Sequence, residues 1–252
     1  MRLLLTNDDG LHAPGIAAMR RKLVALGDVD VVAPATHQSA TGHGITLGGP
    51  LMTKTATHGD LTGTAVEGSP ADCVKLALGK IVGHQPDLVV SGINHGANVG
   101  INVLYSGTVA AAVEAAFLGR PSVAVSLYLH KDASNDMDQA ADNALPVIET
   151  LAKTLEPTQV ASVNLPALKA GERPRGVKVV RQCFGFPFAD SYEERTDPDG
   201  NAYYWNTSVF SLGKTEPDTD IAALREGYVT VTPIHYDMTA HDRITALRDV
   251  LE

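Results

Sequence analysis

The chain has 252 residues, of which 44% are hydrophobic, 19% charged and 5% aromatic, a composition typical of a globular protein. Its formal net charge of −9, from 20 basic and 29 acidic side chains, argues against binding of polymeric nucleic acid, which requires a positive field. No stretch approaches membrane-spanning length, and we interpret the two cysteines, Cys73 and Cys183, as reduced thiols. We therefore expect a cytoplasmic protein that does not associate with a membrane.

Predicted strands and helices alternate along the first 163 residues. In chain order they are a strand at 3–5, a helix at 14–26, a strand at 30–33, a loop and β-hairpin within 36–68, a helix beginning after Ser69, a strand at 88–91, a helix at 108–118, a strand at 122–126, a helix at 137–155 and a strand at 160–163. This alternation predicts a Rossmann-like, doubly wound α/β fold with a mostly parallel sheet.

Beyond residue 176 the pattern changes to strands and turns. Strands are predicted at 177–181 and 228–232, a turn at 197–200 and a terminal helix at 240–251. We find no linker, and predict one domain over 1–252 with a C-terminal β-hairpin arm at about 180–235.

The arm carries most of the aromatic side chains of the chain. They are Phe184, Phe186, Phe188, Tyr203, Tyr204, Trp205 and Phe210. Exposed aromatic residues at hairpin spacing usually need a partner surface, so we predict a homodimer or homotetramer built with this arm. The alternative is that the arm packs back on its own domain.

Polar clusters follow three regions of the predicted sheet: Asn-Asp-Asp-Gly at 7–10, a loop around Ser39, and a loop containing Asn94. Ligands of open α/β sheets bind at the carboxyl ends of strands. In a turn, Asp8 and Asp9 can aim at one point, where their carboxylates repel each other unless a cation joins them. Oxygen ligands select hard cations such as Mg²⁺, Ca²⁺ or Mn²⁺. Taken alone, however, the motif is better explained as a tight turn.

The third cluster has Gly92, Gly96 and Gly100 at four-residue spacing. This spacing differs from the dinucleotide-binding motif Gly-x-Gly-x-x-Gly and therefore argues against NAD as a cofactor. It leads through Tyr-Ser-Gly-Thr-Val at 105–109 into an alanine-rich helix. A helix N-terminus with hydroxyl donors and free N–H groups favours an anion, although Ser106 is equally explained as an ordinary N-cap. A cation on one side and this helix on the other would suit a phosphate ester.

The sequence closely resembles the SurE family, the survival protein E nucleotidases, over nearly its whole length. The matching motifs are the segments at 6–10, 38–39, 42–43, 45–46, 70–74, 87–94, 105–109, 164–166, 197–198, 203–205 and 219–220, with Gly96, Asn98 and Gly100. Departures include Ala40, where the family usually has Gly, and Asp199, where it usually has a basic residue.

The resemblance implies a phosphoric monoester hydrolase that converts nucleoside 5′- and 3′-monophosphates to nucleoside and phosphate with one divalent metal ion per subunit, Mg²⁺ or Mn²⁺. The residues that match the metal ligands are Asp8, Asp9, Ser39 and Asn94, of which Asp8 and Asp9 are also the candidate catalytic residues. The residues that match the phosphate-binding positions are Asn98, Ser106, Gly107 and Thr108. The resemblance also implies that the C-terminal arms exchange between subunits.

Several alternatives stay open at the level of sequence. The nucleophile is either a water molecule activated by the cation or one of the aspartates, although the chain lacks the Asp-x-Asp spacing of haloacid-dehalogenase-type phosphatases. Short polyphosphate is an alternative substrate, and a metal-stabilised nucleotide-binding protein without activity is an alternative function. The base preference and the preference for 5′ or 3′ esters are not decided.

Overall fold

The structure is a computed structural model that describes residues 1–184, 188–189, 191–207, 209–210 and 215–252, with the backbone alone at 188–189 and 209–210. Its strands are β1 (Arg2–Thr6), β2 (Asp28–Pro34), β3 (Thr53–His58), β4 (Leu61–Val66), β5 (Leu88–His95), β6 (Ser122–Leu127), β7 (Val160–Leu165), β8 (Val177–Val179), β9 (Phe188–Ala189), β10 (Tyr192–Thr196), β11 (Ala202–Asn206), β12 (Val209–Phe210) and β13 (Val229–Ile234). Its α-helices are α1 (Pro14–Leu23), α2 (Pro70–Leu76), α3 (Gly107–Phe117), α4 (Met137–Ala152), α5 (Asp220–Arg225) and α6 (Ile244–Leu251).

Within the described residues, nine strands form one sheet in the order β3-β4-β2-β1-β5-β6-β7-β13-β8. The strands from β4 to β7 in this order are parallel, whereas β3 pairs antiparallel with β4, and β13 pairs antiparallel with β7. The prediction of a doubly wound, mostly parallel α/β sheet is confirmed.

The central strands are buried along most of their length because helices cover both faces of the sheet. Leu3, Leu4 and Leu5 in β1 are fully buried, and every residue of β6 and β7 is buried. Helices α1 and α4 pack together on one face, while α2 and α3 pack together on the other. The carboxyl ends of the parallel strands therefore lie at one edge between these two helical layers.

Element boundaries differ from the predicted ones where local hydrogen bonding changes. Helix α1 ends at Leu23 and not at residue 26. The helix gives way there to a tighter turn, in which the Leu26 N–H donates to the Leu23 carbonyl at 2.8 Å. Strand β5 continues to His95, four residues beyond its predicted end. The short elements that were not predicted include α5, a 3₁₀ turn at Gly100–Leu104 and a π-helical turn at Ala77–Ile81.

The C-terminal region divides between the sheet and the predicted arm. Strand β13 lies inside the main sheet between β7 and β8, so residues 229–234 are part of the α/β core. Strands β10 and β11 form an exposed antiparallel hairpin around the predicted turn, where Asp197 accepts the N–H groups of Asp199 and Asn201. Phe186 and the side chains of Phe188 and Phe210 lie outside the described residues.

No helix among the described residues combines the length and apolar character needed to cross a membrane.

Candidate active site

The sheet reverses its strand order at β1, and this reversal creates a crevice. From β1 the chain crosses to β2 on one side, and it later returns to β5 on the other side. Asp8 and Asp9 follow β1 directly, and Asn94 lies near the carboxyl end of β5. Crevices at such a switch point are the usual ligand sites of open α/β sheets.

Asp8 is held from the first turn of α3. It is only 5% exposed, and Thr108 donates its backbone N–H to Asp8 Oδ2 at 3.1 Å and its hydroxyl to Oδ1. Burial raises the pKa of Asp8, the hydrogen bond from Thr108 opposes this, and the charge of Asp9 raises the pKa further. Both hydrogen-bond donors of Thr108 are therefore engaged by Asp8.

Gly107 is required by the close approach of α3 to Asp8. A Cβ atom at position 107 would lie 2.9 Å from Asp8 Cβ and 3.1 Å from Pro70 Cγ, shorter than normal carbon contacts. Any larger residue at this position would displace the Asp8 side chain or the start of the helix.

Asp9 is held by the end of β5 and by the loop that precedes Ser39. Its Oδ2 accepts the backbone N–H of His95 at 3.0 Å, and its Oδ1 lies 3.1 Å from His37 Nδ1. The other ring nitrogen of His37 makes a short hydrogen bond with Ser39 Oγ. His37 thus links two of the candidate metal ligands through a single ring.

The Ser39 loop is also hydrogen-bonded to the turn after β1 and to the segment just before α3. The Asp8 carbonyl accepts the N–H of Gln38 at 2.8 Å, and the Tyr105 carbonyl accepts the N–H of Gly42 at 3.1 Å. Ala40 adopts φ +55°, a left-handed conformation that favours glycine. This conformation gives a physical reason why glycine would be the usual residue at position 40.

The candidate phosphate-binding residues are positioned by buried hydrogen bonds. The Asn98 side chain donates to Ser126 Oγ at 2.9 Å, and its backbone N–H donates to Asn164 Oδ1 at 2.8 Å. Ser106 caps α3 by accepting the Val109 N–H at 3.1 Å, which leaves its hydroxyl proton available for an anion. The Gly107 N–H lies in the first helical turn, where N–H groups have no partner inside the helix.

Six of the eight predicted site residues line a single cavity of about 470 Å³, which we call the first cavity. Its lining consists of Asp8, Asp9, His37, Ser39, Ala40, Asn94, His95, Asn98, Asn102, Tyr105 and Ser106. Gly107 and Thr108 lie immediately behind this lining, against Asp8. Among the described residues the lining has two carboxylates and neither lysine nor arginine.

Five lining residues were not predicted as site residues from the sequence: His37, Ala40, His95, Asn102 and Tyr105. Asn102 is 8% exposed, and its Oδ1 has no hydrogen-bond partner in the described part of the chain. A buried amide oxygen of this kind is suited to a ligand. His37 stands two residues before Ser39, a proximity that would have suggested it, whereas nothing local marks the N–H of His95.

Three comparisons agree with this architecture. The family model described as "Survival protein SurE" matches residues 3–186. The 5′-nucleotidase SurE of Rhodopirellula baltica is 49% identical over 99% of this chain and 98% of that protein. The corresponding protein of Syntrophobacter fumaroxidans, also called 5′-nucleotidase SurE, is 46% identical over 98% of both. The crystal structure of the SurE protein from Aquifex aeolicus superposes with a TM-score of 0.85 at 35% identity, covering all of both chains. The chain belongs to the SurE family.

Proposed function

We propose that the protein is a divalent-metal-dependent phosphomonoesterase that hydrolyses nucleoside 5′- and 3′-monophosphates to nucleoside and phosphate. The observation that carries the proposal is the pairing, in one crevice, of two adjacent carboxylates with the N-terminus of α3. The names of the two relatives support a nucleotide as substrate. Short polyphosphate would present the same terminal phosphoryl group and is a second candidate substrate.

The electrostatics of the first cavity support a metal ion. A phosphate ester would meet Asp8 and Asp9 with no compensating lysine or arginine among the described lining residues, so its binding requires a cation. The candidate ligands Asp8, Asp9, Ser39 and Asn94 all offer oxygen, and the hydrogen bond from Asn94 Nδ2 to the Gly96 carbonyl does not occupy the Asn94 amide oxygen.

This ligand set favours a hard cation. No group of three or more His, Cys, Asp or Glu residues in the described chain is arranged to hold a metal, so the proposed site depends on two carboxylates and neutral oxygens. Mg²⁺ is commonly bound in this way, through one or two carboxylates, waters and substrate phosphate. We propose one Mg²⁺ or Mn²⁺ per subunit.

Each residue then has a role in holding the substrate. A bound cation would supply charge neutralisation and polarisation of the phosphoryl oxygens. Asn98, the Ser106 hydroxyl and the Gly107 N–H would donate hydrogen bonds to phosphoryl oxygens as negative charge develops on them. Thr108 and His37 are positioning residues, because they orient Asp8 and Asp9 respectively.

A phosphate-release screen tests this function. AMP, GMP, CMP, 3′-AMP and tripolyphosphate are compared with Mg²⁺, with Mn²⁺ and after chelation with EDTA. We expect release from the nucleotides only when a divalent ion is present. Saturable nucleotide binding without phosphate release would support the non-enzymatic alternative. Phosphate release in the presence of EDTA would show that the activity does not depend on a divalent metal.

We also propose a cytoplasmic homodimer or homotetramer. Both cysteines are buried thiols, as is usual in a reducing compartment. The exposed aromatic residues of β10 and β11 support a subunit contact through this hairpin, since an isolated hairpin is marginally stable in water.

A further inference from the structure

A second cavity, of about 500 Å³, adjoins the first cavity at the same edge of the sheet. Asp9, His37 and His95 line both cavities and form the boundary between them. The first cavity extends from this boundary toward α3, whereas the second extends toward the N-termini of α1 and α4. A ligand that binds at Asp9 can therefore occupy both.

The second cavity differs from the first in chemistry. Its remaining lining is Gly10, His12, Ala13, Pro14, Gly15, Ala35, Thr36 and Met137, which is mainly apolar. His12 offers an imidazole ring that meets the ring of His58 edge-on at 5.3 Å. The described lining has no lysine or arginine, so nothing in it selects for an anion. The volume and the apolar character are those of a small-molecule site.

The wall of the second cavity is rigid where α1 begins. A Cβ atom at Gly15 would lie 2.0 Å from the Ile93 carbonyl oxygen, which shows how closely α1 packs on β5. Met137, the first residue of α4, is buried at 8% exposure. The shape of this cavity is therefore set by the packing of two helices against the sheet.

We propose that the second cavity binds the nucleoside part of a nucleotide whose phosphate lies in the first cavity. This inference rests on the proposed function and adds the position of the base and ribose. A nucleoside is uncharged and has a flat aromatic base, which matches an apolar lining with an imidazole ring for stacking. Since the lining offers mainly ring faces and alkyl groups, purine and pyrimidine nucleotides should both be accepted.

Two variants test the position of the nucleoside. His12→Ala removes the stacking ring, and Thr36→Trp places a large side chain at an exposed position of the lining. For each variant, kcat/KM is measured for AMP and for glycerol 2-phosphate, an ester without a nucleoside. We expect the ratio of AMP to glycerol 2-phosphate to fall about tenfold, mainly through KM for AMP. His84→Ala, which changes a histidine outside both linings, is the control and should keep the ratio.

A binding measurement separates this proposal from the proposed function. The affinity of a non-hydrolysable 5′-phosphonate analogue of AMP is measured by calorimetry with Mn²⁺ and compared with that of methylphosphonate. We expect the AMP analogue to bind the parent protein more tightly than methylphosphonate does. In both variants the ratio of these two affinities should be about tenfold smaller. An unchanged gain in both variants would overturn the nucleoside site, whether or not the protein releases phosphate from nucleotides.

Discussion

The first cavity and the β10–β11 hairpin both carry residues singled out by the sequence, but they are held in opposite ways. In the first cavity, Asp8 and Asn98 are at most 8% exposed and are hydrogen-bonded to residues from distant segments. In the hairpin, Tyr204 and Trp205 are 64% and 56% exposed. The side chains of the first cavity are fixed by hydrogen bonds within the fold, whereas the aromatic side chains of the hairpin are exposed.

This difference separates chemistry from assembly. Side chains fixed by buried hydrogen bonds have a defined geometry, which a metal site and a phosphate site require. Exposed tyrosine and tryptophan side chains instead suit contact with a second surface, because they combine large apolar area with a polar group. Changes in the first cavity should therefore alter catalysis, whereas changes in the hairpin should alter the assembly.

The largest effect is expected from removing a carboxylate charge. Asp9→Asn should lower metal affinity and phosphatase activity at least about 100-fold, since losing even a residue that supports a ligand costs about 10–100-fold. The variant should fold normally, because an amide can still accept the His95 N–H. Manganese affinity by calorimetry and phosphate release from AMP measure both effects.

Asp8→Asn should be equally inactive and should also fold normally. The amide oxygen can still accept the Thr108 N–H, and the amide NH₂ can donate to the Thr108 hydroxyl, which is both a donor and an acceptor. Asp142→Asn, a change in an exposed ion pair with Lys22, is the control and should keep activity. Full activity of either Asp8→Asn or Asp9→Asn, with metal still required, would place the site elsewhere.

Glu114 offers a test of the support behind the first cavity. It is buried in α3, where its carboxylate binds His43 of the Ser39 loop at 2.7 Å and Lys75 of α2 at 3.1 Å. Burial alone would raise the pKa of Glu114, but the hydrogen bonds and charges of His43 and Lys75 outweigh it and lower the pKa. Glu114→Gln should therefore reduce the free energy of unfolding at pH 7 by about 1.5–3 kcal/mol, the usual contribution of hydrogen bonds to a charged group.

The sign of the pH dependence follows from the lowered pKa of Glu114. The stabilisation is present above the unfolded-state pKa of about 4.3 and is lost as the pH falls through the lower folded-state pKa. Urea denaturation of both proteins at pH 7 and at pH values below about 4 should show the difference shrinking. Glu149→Gln, in an exposed pair with Lys153, should change stability by less than about 0.5 kcal/mol. An equal loss at all pH values would mean that shape, and not charge, explains the effect.

Thr108 should have a smaller effect because it acts through Asp8. Thr108→Val keeps the shape of the side chain and removes the hydroxyl that donates to Asp8 Oδ1. We expect about a tenfold loss in manganese affinity and in kcat/KM, at the lower end of the effects of residues that support a ligand. Thr108→Ser retains the hydroxyl and should restore most of both. If Thr108→Val binds manganese normally, Thr108 does not position Asp8 for the metal.

The hairpin should have the smallest effect on turnover and the clearest effect on mass. The double substitution Tyr204→Ser and Trp205→Ser removes exposed aromatic area from β11 and should convert the oligomer to a smaller species. Light scattering at micromolar concentration measures the mass, and Met238→Ser, at another exposed apolar residue, should leave it unchanged. A parent protein that is already monomeric would refute the proposed assembly.

Local patterns in the sequence determined most of the secondary structure. Apolar runs predicted the buried strands, because period and burial are properties of short segments. Helix α2 begins directly after Ser69, as predicted, and the turn at 197–200 joins the predicted hairpin. The polar clusters at strand ends were also visible, since parallel strands in a doubly wound fold place their carboxyl ends at one edge.

Only the tertiary structure decided which side chains meet. Thr108 and Asp8 are 100 residues apart, and the His95 N–H that holds Asp9 is 86 residues away from it. Gly107 is needed because α3 approaches Asp8 within contact distance, and the left-handed conformation of Ala40 arises from the path of its loop. Local propensity carries no information about such contacts, because they depend on how strands order themselves in the sheet. For the same reason, the position of β13 inside the sheet and the boundary shared by the two cavities became evident only from the fold.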